Sequence, residues 1–155
     1  MITEDKKGLN GFTLIELLVV IAVISVIIAI SFFGIQGSFE RARDTQRKSD
    51  LEQYITALEG YANKYGGIYP ERTIAEGLND LCNDEDMGMD VCLRDPTFSP
   101  ENLVDYNYIT SVGGLEFAVW AQLEGETGNL WVNCSNGRTG IVTGSTVGIA
   151  DCATL

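Results

Sequence analysis

Residues 11–33 read GFTLIELLVVIAVISVIIAISFF. From Phe12 to Phe33 the only charge is Glu16, and the only other polar groups are Thr13, Ser25 and Ser31. About 20 apolar residues in a row are enough to cross a bilayer as a helix. A carboxylate inside such a span costs about 3 kcal/mol even on lenient scales. Glu16 therefore calls for a partner. Lys6 and Lys7 are separated from it by Gly8-Leu9-Asn10-Gly11, so no basic residue lies within a helical turn of it. The missing cation points to a second molecule or to a newly made amino terminus.

Two ordinary readings of an apolar segment fit less well. A secretory signal peptide has an apolar core of about 7–15 residues followed by a small-residue cleavage site. This run is longer, carries its glutamate early and lacks an A-x-A-like site. As a plain anchor it is flanked by Lys6 and Lys7 before the span and by Arg41, Arg43, Arg47 and Lys48 after it. Counted by Lys and Arg alone, that places the C-terminal side in the cytoplasm. The leader and the cysteines described below argue for the opposite orientation.

The chain has 155 residues, room for one modest domain beyond the apolar segment. Its net charge is −12, and removing residues 1–11 leaves that value unchanged because Glu4 and Asp5 cancel Lys6 and Lys7. Such acidity disfavours a nucleic-acid surface, which needs clustered Lys and Arg. It suits a solvated extracellular surface. With no histidine in the chain, Ser-His-Asp and Cys-His catalysis and the commonest zinc ligands are excluded. No phosphate-cradling G-x-x-x-x-G-K-[ST] loop occurs. Neither enzyme activity nor a cofactor is expected.

The cysteines are Cys82, Cys92, Cys134 and Cys152, none in a C-x-x-C spacing. An even count outside the cytoplasm reads as disulfides, with three possible pairings. The sequence-local pairing, Cys82–Cys92 with Cys134–Cys152, is favoured. Each bond would close a segment rich in glycine or acidic residues that has little apolar packing of its own. Asp80, Asp84, Glu85, Asp86 and Asp90 crowd the first of these loops. Without the D-x-[DN]-x-[DN]-G pattern of a calcium loop, they read as a solvated acidic stretch.

Beyond the apolar run, Leu51, Tyr54, Ile55, Leu58, Tyr61, Ala62 and Tyr65 recur at helical spacing, with Glu52, Gln53, Glu59, Asn63 and Lys64 opposite. One helix is predicted from Phe12 to about Lys64, ended by Gly66-Gly67. Gly34 and Gly37 interrupt it as a candidate hinge. Residues 70–100 read as a loop with a short helix near 74–81. The last third reads as strands. Leu115, Phe117, Val119, Ala121 and Leu123 alternate with more polar positions, the pattern of a half-buried strand. Tyr106, Tyr108, Thr110 and Val112 precede them across Gly113-Gly114, a two-residue hairpin signal. Leu130, Val132 and Cys134 form a third inward row, and Ile141-Val142 a short edge strand. Asn133-Cys134-Ser135 fits a glycosylation sequon, although Cys134 is better explained by a disulfide.

The basic leader, Gly11, Phe12-Thr13-Leu14-Ile15-Glu16 and the apolar helix resemble the class III signal of type IV pilins and type II secretion pseudopilins. The resemblance implies cleavage by a prepilin peptidase between Gly11 and Phe12 and N-methylation of Phe12. It also implies that Glu16 pairs with the amino terminus of a neighbouring subunit. Ser49-Asp50-Leu51 through Ala57-Leu58, Tyr61, Gly67, Tyr69-Pro70 and Gly77-Leu78 are similar to the major pseudopilin, whose glycine-rich calcium signature does not follow cleanly after Asn129. Beyond Gly77 only the architecture is similar.

The implied fold is α+β, a long N-terminal helix packed on a small antiparallel sheet. Its parts are a leader at 1–11, a transmembrane and assembly helix at 12–38, and a head at 39–155 that includes the amphipathic half of the helix. The expected function is a structural pilus subunit in adhesion or surface motility. The alternatives are a periplasmic pseudopilin and a monomeric membrane-anchored binding module. Expected partners are identical subunits in a helical filament, prepilin peptidase, the pilus assembly machinery and, before assembly, the membrane; nucleic acid is not among them. The chain would begin as a single-pass inner-membrane precursor and end in an extracellular filament.

Overall fold

The structure is a computed structural model that describes residues 12–31, 36–84, 87–125 and 128–155. The chain divides into two compact units, Met1–Ser38 and Phe39–Leu155. In the first, α1 runs over Leu14–Ser31. Its apolar side chains are exposed on every side, from Leu14 at 83 % to Ile24 at 48 %. A helix of 18 residues rises about 27 Å at about 1.5 Å per residue. Among the described residues no helix is long and apolar enough to cross a membrane. The apolar sequence continues through Phe32 and Phe33, which lie outside the described residues.

The single helix expected over 12–64 is described as α1 and a second helix, α2, over Gln36–Lys64; residues 32–35 lie outside the described residues. Gly66 and Gly67 take φ of 71° and 89°. The Gly67 N–H reaches back to the Ala62 carbonyl at 2.7 Å. This left-handed close satisfies a terminal carbonyl that would otherwise lack a donor.

After α2 come β1 (Glu76–Gly77), α3 (Leu78–Asp84), β2 (Asn107–Thr110), β3 (Phe117–Gln122), β4 (Asn129–Cys134) and β5 (Thr139–Thr143). A 3-10 turn over Ile149–Ala153 follows. The strands form one antiparallel meander in the order β1-β2-β3-β4-β5. The architecture is α+β and pilin-like: an N-terminal helical stretch followed by a five-stranded antiparallel sheet. The short helix begins at Leu78, a few residues later than the sequence pattern placed it.

Two cores lie on the two faces of the sheet. Leu51, Tyr54 and Leu58 of α2 pack with Leu78 and Leu81 of α3 and with Tyr106, Tyr108, Phe117, Val119 and Ala121. On the other face Ala118, Trp120, Leu130, Val132 and Cys134 pack with Val147 and Cys152. Register explains the sorting. Tyr108 pairs with Val119, whereas Ala118 pairs with Cys134 and Trp120 with Val132. Side chains alternate across a sheet, so these rows point to opposite faces.

Three expectations therefore change. β3 is buried on both faces, because residues 144–155 cover the side expected to meet water. Leu130, Val132 and Cys134 do point inward, but toward that C-terminal segment rather than toward the helix. Leu115 and Val112 lie outside the strands and are exposed at 69 % and 83 %. The turn carrying them spans more than two residues, since Ser111 N–H bonds to the Glu116 carbonyl and Gly114 N–H to the Ser111 carbonyl.

Candidate functional site

Thr13 and Glu16 form a capping box at the start of α1. The Thr13 N–H and hydroxyl both donate to Glu16 Oε2, at 2.9 and 2.8 Å. The Glu16 N–H in turn donates to Thr13 Oγ1 at 3.3 Å. This T-x-x-E arrangement satisfies amide donors that a helix start leaves open. Glu16 thus meets neutral donors of its own chain rather than a cation, and Thr followed three positions later by Glu before an apolar run is the sequence signal for them. The bonds orient the carboxylate without neutralising it, because threonine carries no charge. Farther along α1, the Ser25 hydroxyl donates to the Ile21 carbonyl at 2.7 Å, so this polar group is satisfied within the helix.

Of the other N-terminal candidates, Gly11 and Gly34 lie outside the described residues. Phe12 is exposed at 83 %. Gly37 sits in the first turn of α2, and an added Cβ would meet nothing within 4 Å.

In the head, the helix meets the sheet through a charge cluster that pattern reading did not find. Arg47 is 1 % exposed, and its Nε and Nη2 grip Asp95, also 1 % exposed, at 2.5 and 2.9 Å. Its Nη1 reaches Asp44 at 2.7 Å and its Nη2 reaches Glu124 at 2.6 Å. Arg43 closes on Glu124 as well. Asp44 accepts the backbone N–H groups of Glu124 and Gly125, at 2.9 and 3.1 Å. Two turns of α2 are thereby fastened to the end of β3 and the turn after it.

Burial alone would push the Asp95 carboxyl up, but Arg47 and Thr97 hold it below the usual range. Arg43, helped by Arg47, brings Glu124 down to about 2. Burial works against the Arg47 charge, yet its three carboxylate partners raise its pKa further. Lys48 Nζ stands 3.9 Å from the Trp131 ring centre. Arg43, Arg47 and Lys48, three of the cations that gave the flanking sequence its awkward charge bias, are thus engaged inside the folded head. Glu124, one of the polar positions that follow the alternating stretch, is half-buried in this cluster.

Two disulfides close segments that, contrary to the sequence expectation, also pack apolar side chains, Met87 into the first core and Val147 into the second. Cys82 bonds to Cys92 and Cys134 to Cys152, with Cα–Cα distances of 5.8 and 5.9 Å. The second ties the C-terminal turn to β4 and helps seal the second core. Arg138 adds hydrogen bonds to the carbonyls of Ala153 and Leu155. Asn133 of the sequon is 3 % exposed within β4, out of reach of a glycan in the folded head. Among the described residues no group of three or more His, Cys, Asp or Glu is placed to hold a metal ion. Of the acidic loop, Glu85 and Asp86 lie outside them.

An exposed apolar N-terminal helix with a capped glutamate, joined in sequence to a disulfide-bonded α+β head, defines a pilin-like class of protein. Residues 7–32 match the family model described as the prokaryotic N-terminal methylation motif, the class III signal of type IV pilins and pseudopilins. The match supports a type IV pilin- or pseudopilin-like protein and points to a structural role. The leader motif implies processing by prepilin peptidase, membrane insertion and handling by an assembly machinery. No curated protein and no solved structure matches the chain.

Proposed function

We propose that this chain is the structural subunit of a type IV pilus filament, assembled through its N-terminal helix and serving adhesion or surface motility. The observation that carries the reading is α1, with large apolar side chains exposed on every side within the residues that match the methylation motif. Burying such a helix against copies of itself keeps its apolar area from water once it leaves the membrane and leaves the acidic heads outside. In this reading residues 1–11 are a leader cut after Gly11, and Phe12 becomes the methylated terminus. Residues 12–38 are the membrane and assembly helix, and 39–155 the head. Glu16, already oriented by Thr13, accepts the Phe12 amine of an adjacent subunit and sets the axial register. Gly34 and Gly37 let the helix repack as it leaves the membrane.

Two unit charges at 4 Å interact by roughly 4 kcal/mol at an effective dielectric of about 20. That is of the same size as the membrane penalty on Glu16, so pairing in the filament offsets the cost of burial. The net charge of −12 and the two disulfides favour a surface filament over a short periplasmic pseudopilus. Shearing native cells tests the choice. Thin filaments of this subunit, seen by electron microscopy and identified by mass spectrometry with Phe12 at the terminus, are expected. Protein that stays in the envelope, with secretion failing in its absence, identifies a pseudopilin instead. A mature chain retaining Met1 refutes both.

A further inference from the structure

On the sheet face opposite α2, a cleft of about 470 Å³ opens beside β2 and β3. Asn107 and Gln122 reach it from the strands, and Asp80, Arg94, Phe98 and Asp105 line it from the segments around them. Its size falls within the roughly 300–1,000 Å³ of small-ligand pockets. We propose that this cleft is a binding site for a neutral saccharide.

The donors and acceptors carry the argument. Arg94 is fixed: its Nη2 donates to Asn79 Oδ1 at 2.6 Å, and its guanidinium lies 4.2 Å from the Phe98 ring centre. Asp105 Oδ1 accepts the N–H groups of Asp95 and Tyr106, at 3.3 and 2.9 Å. Among the described residues its Oδ2 has only Arg94 Nη1 at 3.9 Å, beyond hydrogen-bond range. Asn107 Nδ2 donates to the Asp105 carbonyl at 3.0 Å, which orients the amide. The side chains of Asp80 and Gln122 are exposed and take part in no hydrogen bond or ion pair among the described residues. The cleft therefore holds acceptors with capacity left and a positioned cationic donor stacked on the Phe98 ring.

Charge selects the ligand class. A second anion meets Asp80 and Asp105 on a protein of net charge −12. A cation meets Arg94, whose charge is held by the neutral Asn79 amide oxygen and stands 3.9 Å from the nearest carboxylate oxygen among the described residues, that of Asp105. Hydroxyl groups donate to carboxylates and accept from guanidinium and amide N–H at the same time. A neutral polyhydroxyl ring offers both kinds of group at once and so matches the set. Only the biological use of the site rests on the adhesive role proposed above; binding itself needs no filament.

The test uses the mature full-length chain in a zwitterionic, sugar-free detergent. Maltose, lactose and N-acetylglucosamine are titrated by calorimetry, with putrescine and succinate as charged controls. Saturable binding of at least one sugar with a Kd in the mM range is expected. Asp80→Ala or Gln122→Ala, both at exposed positions, should weaken it about tenfold while leaving the melting temperature unchanged. No saturation by any sugar, binding unaltered in both variants, or binding of only putrescine or succinate overturns the proposal. Filaments sheared from cells carrying the same variants are counted separately. Loss of sugar binding with filaments retained separates this site from the assembly reading.

Discussion

Replacing Arg47 by methionine keeps an apolar stem of similar length and removes the guanidinium. The Asp95 side chain, 1 % exposed, is then left buried with, among the described residues, only the Thr97 N–H and hydroxyl as close donors, at 2.8 and 2.6 Å. Removing one partner of a buried pair costs about 3–5 kcal/mol, because the remaining charge loses its compensation. For a head of this size, about 4 °C per kcal/mol converts that into a fall in Tm of roughly 12–20 °C. The contribution of Asp95 to the pH dependence should change sign as well. In the wild type Asp95 and Glu124 have depressed folded pKa values, so their contribution is full above the ordinary carboxylate range. It is lost as pH falls through the folded values, that of Glu124 being about 2. In Arg47→Met, burial dominates at Asp95 and raises its pKa. Asp50 and Asp105, whose folded pKa values burial raises, favour the fold as pH falls in both proteins, so the variant should regain more stability than the wild type on going from neutral pH to about pH 4. Near-ultraviolet circular dichroism of the two tryptophans follows the head during thermal melts across this range. Arg47→Met/Asp95→Leu, which removes both charges, should recover most of the loss. A single variant within about 1 kcal/mol of wild type, or one with the wild-type pH profile, refutes the reasoning.

Glu16→Leu should insert into the membrane normally and yield no sheared filaments; normal filaments from it would remove the glutamate from assembly. Gly114→Ala should lower stability by about 2 kcal/mol, read as a denaturation midpoint. Its φ is +67°, and the new Cβ would lie 2.4 Å from the Tyr69 carbonyl oxygen and 2.8 Å from Ile68 Cγ2. An unchanged midpoint would contradict the tight approach of the 111–116 turn to Tyr69. Replacing Cys134 and Cys152 together by alanine should cost about 3 kcal/mol in the chain-entropy treatment and red-shift Trp120 emission. Non-reducing peptide mapping that joins Cys82 to Cys134 would overturn the pairing on which this rests.

What the sequence by itself determined was local. The methylation motif and its apolar helix are contiguous, so residues 11–33 can be read without knowing any contact. The helical stripe from Leu51 to Ala62 and the alternation through Phe117, Val119 and Ala121 locate one face of the head core, because periodicity reports which residues share a side. Only the tertiary structure decided what covers the other face. Alternation marks Ala118 and Trp120 as opposite to Val119, but it does not say that residues 144–155 fold back over them. The charge cluster was hidden for the same reason. Arg47 meets Asp95 and Glu124 across 48 and 77 residues of sequence, and a lone arginine among polar neighbours on a helix looks like a solvated charge. Its burial follows from where the chain brings the carboxylates, since a guanidinium is kept from water only where several fixed acceptors replace the hydration it loses.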